Sequence, residues 1–83
     1  METITINIVF FGVLKAFYGE KQTLEVPFGS TINDVIQVLM KIKPEAKDIL
    51  ESCQCAVNSD IISKDHRIME SSEFVLLPPF SGG

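Results

Sequence analysis

The sequence Phe74-Val75-Leu76-Leu77-Pro78-Pro79-Phe80-Ser81-Gly82-Gly83 joins a run of apolar residues to two prolines and a pair of glycines. The apolar run predicts a buried β-strand over residues 73–77. Proline has no N–H to give to a sheet and fixes its own φ, so the strand must end at Pro78. Because adjacent prolines favour an extended polyproline conformation, we expect a stiff arm over residues 78–83.

The tip of this arm, Gly82-Gly83, carries no side chains. A tip of this kind can enter a narrow channel, and glycine adopts backbone angles that other residues avoid. Both properties suit a C-terminus that another enzyme must reach and modify. The alternative is a frayed tail, since chain termini are commonly disordered. We interpret the chain as a domain over residues 1–77 and an extended arm over residues 78–83.

Length and charge exclude several functions. The chain has 83 residues and a net charge of −4, which indicates one small domain with a thin core and no separate catalytic domain. The negative charge argues against binding to nucleic acid or an anionic membrane, both of which require basic patches. No apolar stretch is long enough to span a membrane, and because the start Met1-Glu2-Thr3 has no basic region or cleavage site we expect no signal peptide. We therefore expect a cytoplasmic protein.

Metal-ligating residues are few. The cysteines are Cys53 and Cys55, and the histidine is His66, whereas zinc or an iron–sulfur cluster needs four ligands. We expect no metal and no cofactor bound by this chain. The Cys-x-Cys spacing on a predicted strand places both thiols on one face, where we interpret them as small, half-buried residues without a disulfide. His66 has no nucleophile partner, so we expect a surface residue and no catalytic apparatus.

Alternation near the N-terminus predicts the first strand. Its apolar residues share one face and its polar residues the other; the apolar set is Ile4, Ile6, Ile8 and Phe10. Val9 and Phe11 make both faces apolar at the far end, which indicates a second cover or a partner there. A short helix is predicted over residues 13–18, with Gly19 as its cap, followed by a second strand over residues 21–26. Because the connection between the two strands is short, we expect them to pair antiparallel.

A helix opening at Thr31 is the main predicted helix. Asp34 can complete a capping box with Thr31, and Pro44 ends the helix. The stripe predicted to face the sheet is Ile32, Val35, Ile36, Leu39 and Ile42. A further helical turn over 44–50 and short strands over 55–57 and 61–62 precede an irregular segment over 63–69. The sequence predicts an α+β two-layer domain with the first and last strands at the sheet centre.

This pattern resembles the ubiquitin-like β-grasp sulfur carriers, in which a mixed sheet packs on one main helix. The likeness is greatest to the small sulfur-carrying subunits of molybdopterin synthase. The residues that carry it are Val9-Phe10-Phe11-Gly12, Lys15, Gly19, Thr31-Ile32, Ala56-Val57-Asn58 and Leu77-Pro78-Pro79-Phe80-Ser81-Gly82-Gly83. Two features depart from the family pattern: Glu70-Ser71-Ser72-Glu73 stands where the turn usually reads Asp-Gly-Asp-Glu, and Phe80 stands where a β-branched residue is common.

The resemblance implies a carrier that is not an enzyme on its own. An adenylating enzyme would use ATP to activate Gly83, and a sulfur donor protein would convert it to a thiocarboxylate. The large subunit of molybdopterin synthase, in a heterotetramer, would use that sulfur to build the dithiolene of molybdopterin. The alternatives are a carrier for thiamine thiazole synthesis, a protein modifier joined through Gly83 to lysines, and an interaction domain with an idle tail.

The resemblance also assigns roles along the arm. We expect the residues threading the partner's channel to be Pro78, Pro79, Phe80, Ser81 and Gly82. Phe80 is the best candidate for an anchor, since aromatic residues dominate interface energetics. Phe11 and Leu77 would extend the apolar docking surface, although an ordinary core position is equally compatible with Phe11. Glu73 would steer a basic partner or simply keep the domain soluble, and Lys15 is interpreted as a solvated side chain, with a salt bridge to a partner as the alternative.

Overall fold

The computed structural model describes residues 2–79. Its elements in chain order are β1 (Thr3–Phe10), α1 (Leu14–Tyr18), β2 (Lys21–Pro27), α2 (Ile32–Ile42), a 3₁₀ turn (Pro44–Ala46), α3 (Lys47–Ser52), β3 (Gln54–Val57), β4 (Asp60–Ile62) and β5 (Ser72–Leu77). The strands form one sheet in the order β2-β1-β5-β3-β4. β1 and β5 are parallel, and the other neighbours are antiparallel. The predicted α+β class and the interior positions of the first and last strands are confirmed.

One face of the sheet, called here the inner face, packs against the helices. Ile6, Ile8 and Phe10 alternate along β1 and are at most 1% exposed, as their spacing predicts. Tyr18 at the end of α1 stacks on Phe10 with ring centroids 4.9 Å apart and donates its hydroxyl to the carbonyl of Leu39, at 2.7 Å. That hydrogen bond satisfies a buried hydroxyl and ties α1 to α2 across the core.

The predicted capping box begins α2. Thr31 Oγ1 accepts from the amide of Asp34 at 3.1 Å, and the Thr31 amide donates to the Asp34 carboxylate at 3.0 Å. The helix ends at Ile42, before Pro44. The prediction that Ile42 faces the sheet was wrong, because its side chain is 47% exposed. At 100° per residue it lies about 70° from the centre of the buried stripe, too far round to reach the core.

The segment after β4 carries a core residue that the sequence did not reveal. Ile68 is 2% exposed within the segment predicted to be irregular. Its amide donates to the Ser30 carbonyl at 2.8 Å, and its carbonyl accepts from the amide of Gly29 at 2.9 Å. These two hydrogen bonds hold the segment against the turn between β2 and α2. The Ile68 side chain covers the end of the core next to that turn.

The two cysteines differ from the prediction in place and in burial. Cys53 caps the C-terminus of α3 and precedes β3, so the pair does not share a strand. Both are free thiols and only 1% exposed, which corrects the half-buried interpretation. Cys53 Sγ donates to the Leu50 carbonyl at 3.1 Å, a bond made possible by its position at the helix end. Burial raises the pKa of Cys53 and raises that of Cys55 to about 12.

Candidate functional site

The predicted arm leaves the sheet at the end of β5. β5 ends at Leu77, and Pro78 follows half-buried while Pro79 is exposed. Proline offers no N–H to extend the ladder, which explains why strand pairing stops here. The remaining predicted arm residues lie outside the described residues; they are Phe80, Ser81, Gly82 and Gly83. Their assigned roles stay predictions.

Phe11 and Leu77 each follow the last facing pair of β1 and β5, at the edge of the sheet where the arm leaves. β1 and β5 run parallel, and their last facing pair is Phe10 with Leu76. Phe11, just past the end of β1, and Leu77, the last residue of β5, therefore come to the same edge of the sheet, and strand alternation places Leu77 on the face opposite the helices. Phe11 is 44% exposed, which excludes the ordinary core position, and Leu77 is half-buried. The Lys15 ammonium lies 5.9 Å from the centroid of the Phe11 ring, so this exposed lysine borders the apolar edge.

An apolar row crosses the outer face just below this edge. Strand register places Val9 opposite Val75, Val75 opposite Ala56, and Ala56 opposite Ile61. Val9 and Val75 are half-buried, Ala56 is buried, and Ile61 is 55% exposed. We call this row together with Phe11 and Leu77 the outer-face patch. The sequence indicated Val9, Phe11 and Leu77 of this patch, whereas Val75, Ala56 and Ile61 join it through register between distant strands.

Glu73 lies away from the outer-face patch. It lies on the same face as Leu77 but four residues earlier on β5. Because a strand rises about 3.3 Å per residue, the two residues are about 13 Å apart. Its carboxylate is 3.4 Å from the Lys21 ammonium, and both side chains are more than half exposed. Such a surface ion pair contributes little to stability. The structure thus brings together Phe11, Leu77 and Pro78, and leaves Glu73 on the polar half of the same face.

A separate groove lies at the opposite end of the sheet. It has a volume of about 420 Å³ and runs between β4 and the segment that carries Ile68. His66 and Arg67 line it, and His66 is exposed, as expected of a surface residue. Arg67 donates to the Gly29 carbonyl at 3.0 Å, so it also braces the nearby turn. Pro78 and Pro79, where the arm begins, do not line this groove, and it shares no lining residue with the outer-face patch.

Residues 2–79 contain neither a cluster of metal-ligating side chains nor a membrane-spanning helix. Over that part of the chain, no group of three or more His, Cys, Asp or Glu side chains could hold a metal ion. No helix in the same range has the length and apolar character needed to cross a membrane.

Comparison with known proteins identifies the family. The model of the ThiS family matches residues 8–83, which include the outer-face patch and the whole arm. The chain belongs to the ThiS family. Among curated relatives, the molybdopterin synthase sulfur carrier subunit of Dictyostelium discoideum is 32% identical over 81 residues, covering 93% of this chain and 94% of that protein. The subunit of the same name from Mycobacterium tuberculosis is 24% identical, covering 96% and 99%.

Solved structures confirm the β-grasp fold of this ThiS-family chain. A candidate molybdopterin converting factor subunit 1 from Pyrococcus furiosus has a TM-score of 0.79 at 20% identity, covering 93% of this chain and 99% of the other. Small archaeal modifier protein 1 from Haloferax volcanii has a TM-score of 0.78 at 15% identity, with the same coverage. At these identities the likeness establishes the fold, and the ubiquitin-like architecture predicted from the sequence is confirmed.

Proposed function

We propose that this chain is the sulfur-carrying small subunit of a molybdopterin synthase. The single observation that carries the proposal is the 32% identity to a molybdopterin synthase sulfur carrier subunit over 93% of the chain. The structure supports it with an apolar surface at the root of the arm. The chain itself performs no reaction: it presents Gly83 to a succession of partner enzymes.

The reactive group in this proposal is the carboxylate of Gly83. An adenylating enzyme transfers AMP from ATP to it, releasing pyrophosphate and making a bare carboxylate into a good electrophile. A sulfur donor protein then supplies sulfur that displaces AMP, leaving a thiocarboxylate. The large subunit consumes that thiocarboxylate while building the dithiolene of molybdopterin. ATP and the pterin bind to the partners, so this chain needs no cofactor of its own.

The outer-face patch is the proposed docking surface for these partners. Phe11 and Leu77 flank the point where the arm begins, so a partner that covers them holds the arm at its channel entrance. Pro78 and Pro79 restrict the free arm, which reduces the entropy lost on docking. Phe80 anchors the arm, with Ser81 and Gly82 in the channel. Glu73 contributes at most long-range attraction to a basic partner, because it lies on the polar half of the face.

Intact-mass spectrometry tests the central step. The chain is incubated with the adenylating enzyme, ATP and a sulfide source, and we expect a mass increase equal to one oxygen replaced by sulfur. A variant lacking Gly83 should show no increase, while its circular dichroism spectrum matches the wild type. An unmodified wild-type chain, with an enzyme proven active on its own carrier, would overturn the carrier function.

Sulfur transfer to different acceptors tests the pathway. The thiocarboxylated chain should convert a pterin precursor to molybdopterin when mixed with a molybdopterin synthase large subunit, in an assembly of two large and two small subunits. Transfer to a thiazole synthase instead would assign the chain to thiamine synthesis. Attachment of Gly83 to target lysines, detected as diglycine remnants after tryptic digestion, would assign it as a protein modifier.

A further inference from the structure

Strand β2 forms an open edge of the sheet. It lies at one end of the strand order, and among residues 2–79 only β1 pairs with it. Lys21, Thr23 and Glu25 are exposed along this edge. An open strand of this length presents unpaired peptide groups and is a template for another strand.

The hydrogen bonds that flank the β1–β2 ladder show which peptide groups face outward. The Phe10 amide donates to the Glu20 carbonyl at 3.0 Å, and the Phe28 amide donates to the Glu2 carbonyl, also at 3.0 Å. In an antiparallel pair, residues alternate between facing the neighbour and facing away. Even-numbered residues of β2 therefore bond to β1. The N–H and C=O groups of Lys21, Thr23 and Glu25 point away from the sheet.

We propose that β2 pairs with β2 of a second copy of this chain, in an antiparallel dimer centred on Thr23. A two-fold axis through Thr23 places Lys21 of one copy opposite Glu25 of the other, twice by symmetry. The facing residues are those whose peptide groups point outward, so each pair can exchange two N–H···O bonds. Directly opposed residues of opposite charge stabilise a sheet, which makes this strand complementary to itself.

Neighbouring registers lack this fit. A two-fold centre at Leu24 would place Pro27, which has no N–H, opposite Lys21 and would leave Glu25 opposite Thr23. A centre at Gln22 would place Lys21 opposite Thr23 and Glu25 beyond the strand, opposite Gly19. Centring on Thr23 alone among these combines unobstructed backbone pairing with matched charges.

Existing side-chain contacts are compatible with the dimer. Lys21 already lies 3.4 Å from Glu73, and an ammonium has three donors, so it can contact both Glu73 and the second copy's Glu25. The axis is perpendicular to the sheet, so both outer-face patches lie on one side of a continuous sheet. Neither patch is covered, and the dimer leaves the proposed docking surface free.

Sedimentation velocity over a concentration series, from about 10 µM to about 1 mM, tests the proposal, since an interface this small implies weak association. We expect the wild-type sedimentation coefficient to rise with concentration. Glu25→Lys should weaken dimerisation about tenfold or more, because it opposes like charges twice. The exchange Lys21→Glu with Glu25→Lys should restore wild-type association. Glu51→Lys on α3, which makes the same change in net charge, should have little effect.

A proline variant tests the backbone register. Thr23→Pro removes an outward N–H, so the β1–β2 ladder should survive while dimerisation is lost. Circular dichroism and a urea midpoint near that of the wild type establish that the fold is intact. The proposal is overturned if the wild type stays monomeric throughout the series. It is also overturned if Thr23→Pro or Glu25→Lys associates as strongly as wild type, a result that would place any dimer elsewhere.

Discussion

The inner and outer faces of the sheet carry similar apolar residues in different surroundings. Along β5, Phe74 and Leu76 face the helices and are at most 3% exposed, whereas Val75 and Leu77 on the other face are half-buried. On β1, Phe10 is fully buried, and the next residue, Phe11, is 44% exposed. The inner residues share one core cluster with α1, α2 and α3. The outer residues have no such cover in residues 2–79.

This difference separates two uses of apolar surface. On the inner face, burial by the helices stabilises the fold. On the outer face, apolar side chains remain available to a partner, at the end of the sheet where the arm begins. Phe11 and Ile61 are exposed and Val9, Val75 and Leu77 are half-buried, and an exposed apolar patch of this kind is typical of an interaction surface. The two faces should therefore respond differently to the same substitution.

Replacing adjacent phenylalanines gives the largest expected contrast. Phe10→Ala should lower the free energy of unfolding by about 3–5 kcal/mol, because it leaves a cavity in the core and removes the stacking with Tyr18. Phe11→Ala should cost about 1 kcal/mol or less, because its ring is already largely in water. Urea denaturation followed by circular dichroism measures both. Equal losses for the two variants would contradict the assignment of Phe11 to an open face.

Alkaline pH should lower the free energy of unfolding, because unfolding lets the buried thiols of Cys53 and Cys55 ionise. Burial raises the pKa of Cys55 to about 12 and also raises the pKa of Cys53, while an unfolded thiol ionises near pH 8.5. The contribution of the buried, protonated thiol to stability is fully present below the pKa of the thiol in the unfolded chain. It is lost progressively as the pH rises toward the pKa of the thiol in the folded chain. For Cys55 the free energy of unfolding should fall by about 1.4 kcal/mol per pH unit above about pH 9.

Cys55→Ala provides the control for this pH dependence. Urea titrations at pH 7, 9 and 10 should give a shallower decline for the variant, because the Cys55 thiol is absent while Cys53 and Tyr18, whose pKa is also raised by burial, still contribute. The variant will be less stable at pH 7, so the slopes are compared rather than the absolute values. A slope identical to that of the wild type would show that Cys55 ionisation is not coupled to unfolding.

The inner face could be largely predicted from the sequence, and the outer face could not. The alternation along β1 and the capping box at Thr31 involve residues that are close in the sequence, so a short segment is enough to predict them. The outer-face patch depends on register between strands far apart, such as Val9 with Val75 and Ala56 with Ile61. No local pattern contains that register.

Two other differences have the same origin. Ile68 joins the core because its backbone bonds to Gly29 and Ser30, more than thirty residues earlier, and not because of any local periodicity. Cys53 falls outside β3 because α3 continues to Ser52, closer to the strand than the helical spacing indicated. The roles of residues 80–83 rest on the family resemblance and stay predictions.

Partner binding should distinguish the outer face more sharply than stability does. Leu77→Ser should weaken binding to the molybdopterin synthase large subunit about tenfold or more, since it places a hydroxyl in an apolar contact. Its matched control is Thr5→Ser on the polar half of the same face, which should bind as the wild type does. Isothermal titration calorimetry measures both. Unchanged affinity for Leu77→Ser would remove Leu77 from the docking surface.

The smallest expected effect concerns the hairpin that carries Ala56 and Ile61 of the outer-face patch. Asn58 and Ser59 form its two-residue turn with φ of 51° and 71°. Both angles are typical of a type I′ turn, which favours Asn-Gly because glycine reaches positive φ without steric cost. Ser59→Gly should therefore raise the free energy of unfolding by about 0.5–1 kcal/mol, read from the urea midpoint.

Ser71→Gly is the matched control, because among residues 2–79 positive φ at non-glycine positions occurs only at Asn58 and Ser59. The same chemical change at Ser71 gains no relief of strain and adds freedom to the unfolded chain, so stability should stay level or fall. If both variants shift the midpoint alike, the turn is not strained. If only Ser59→Gly raises the midpoint, the positive φ of Ser59 strains the turn that joins the two strands carrying Ala56 and Ile61.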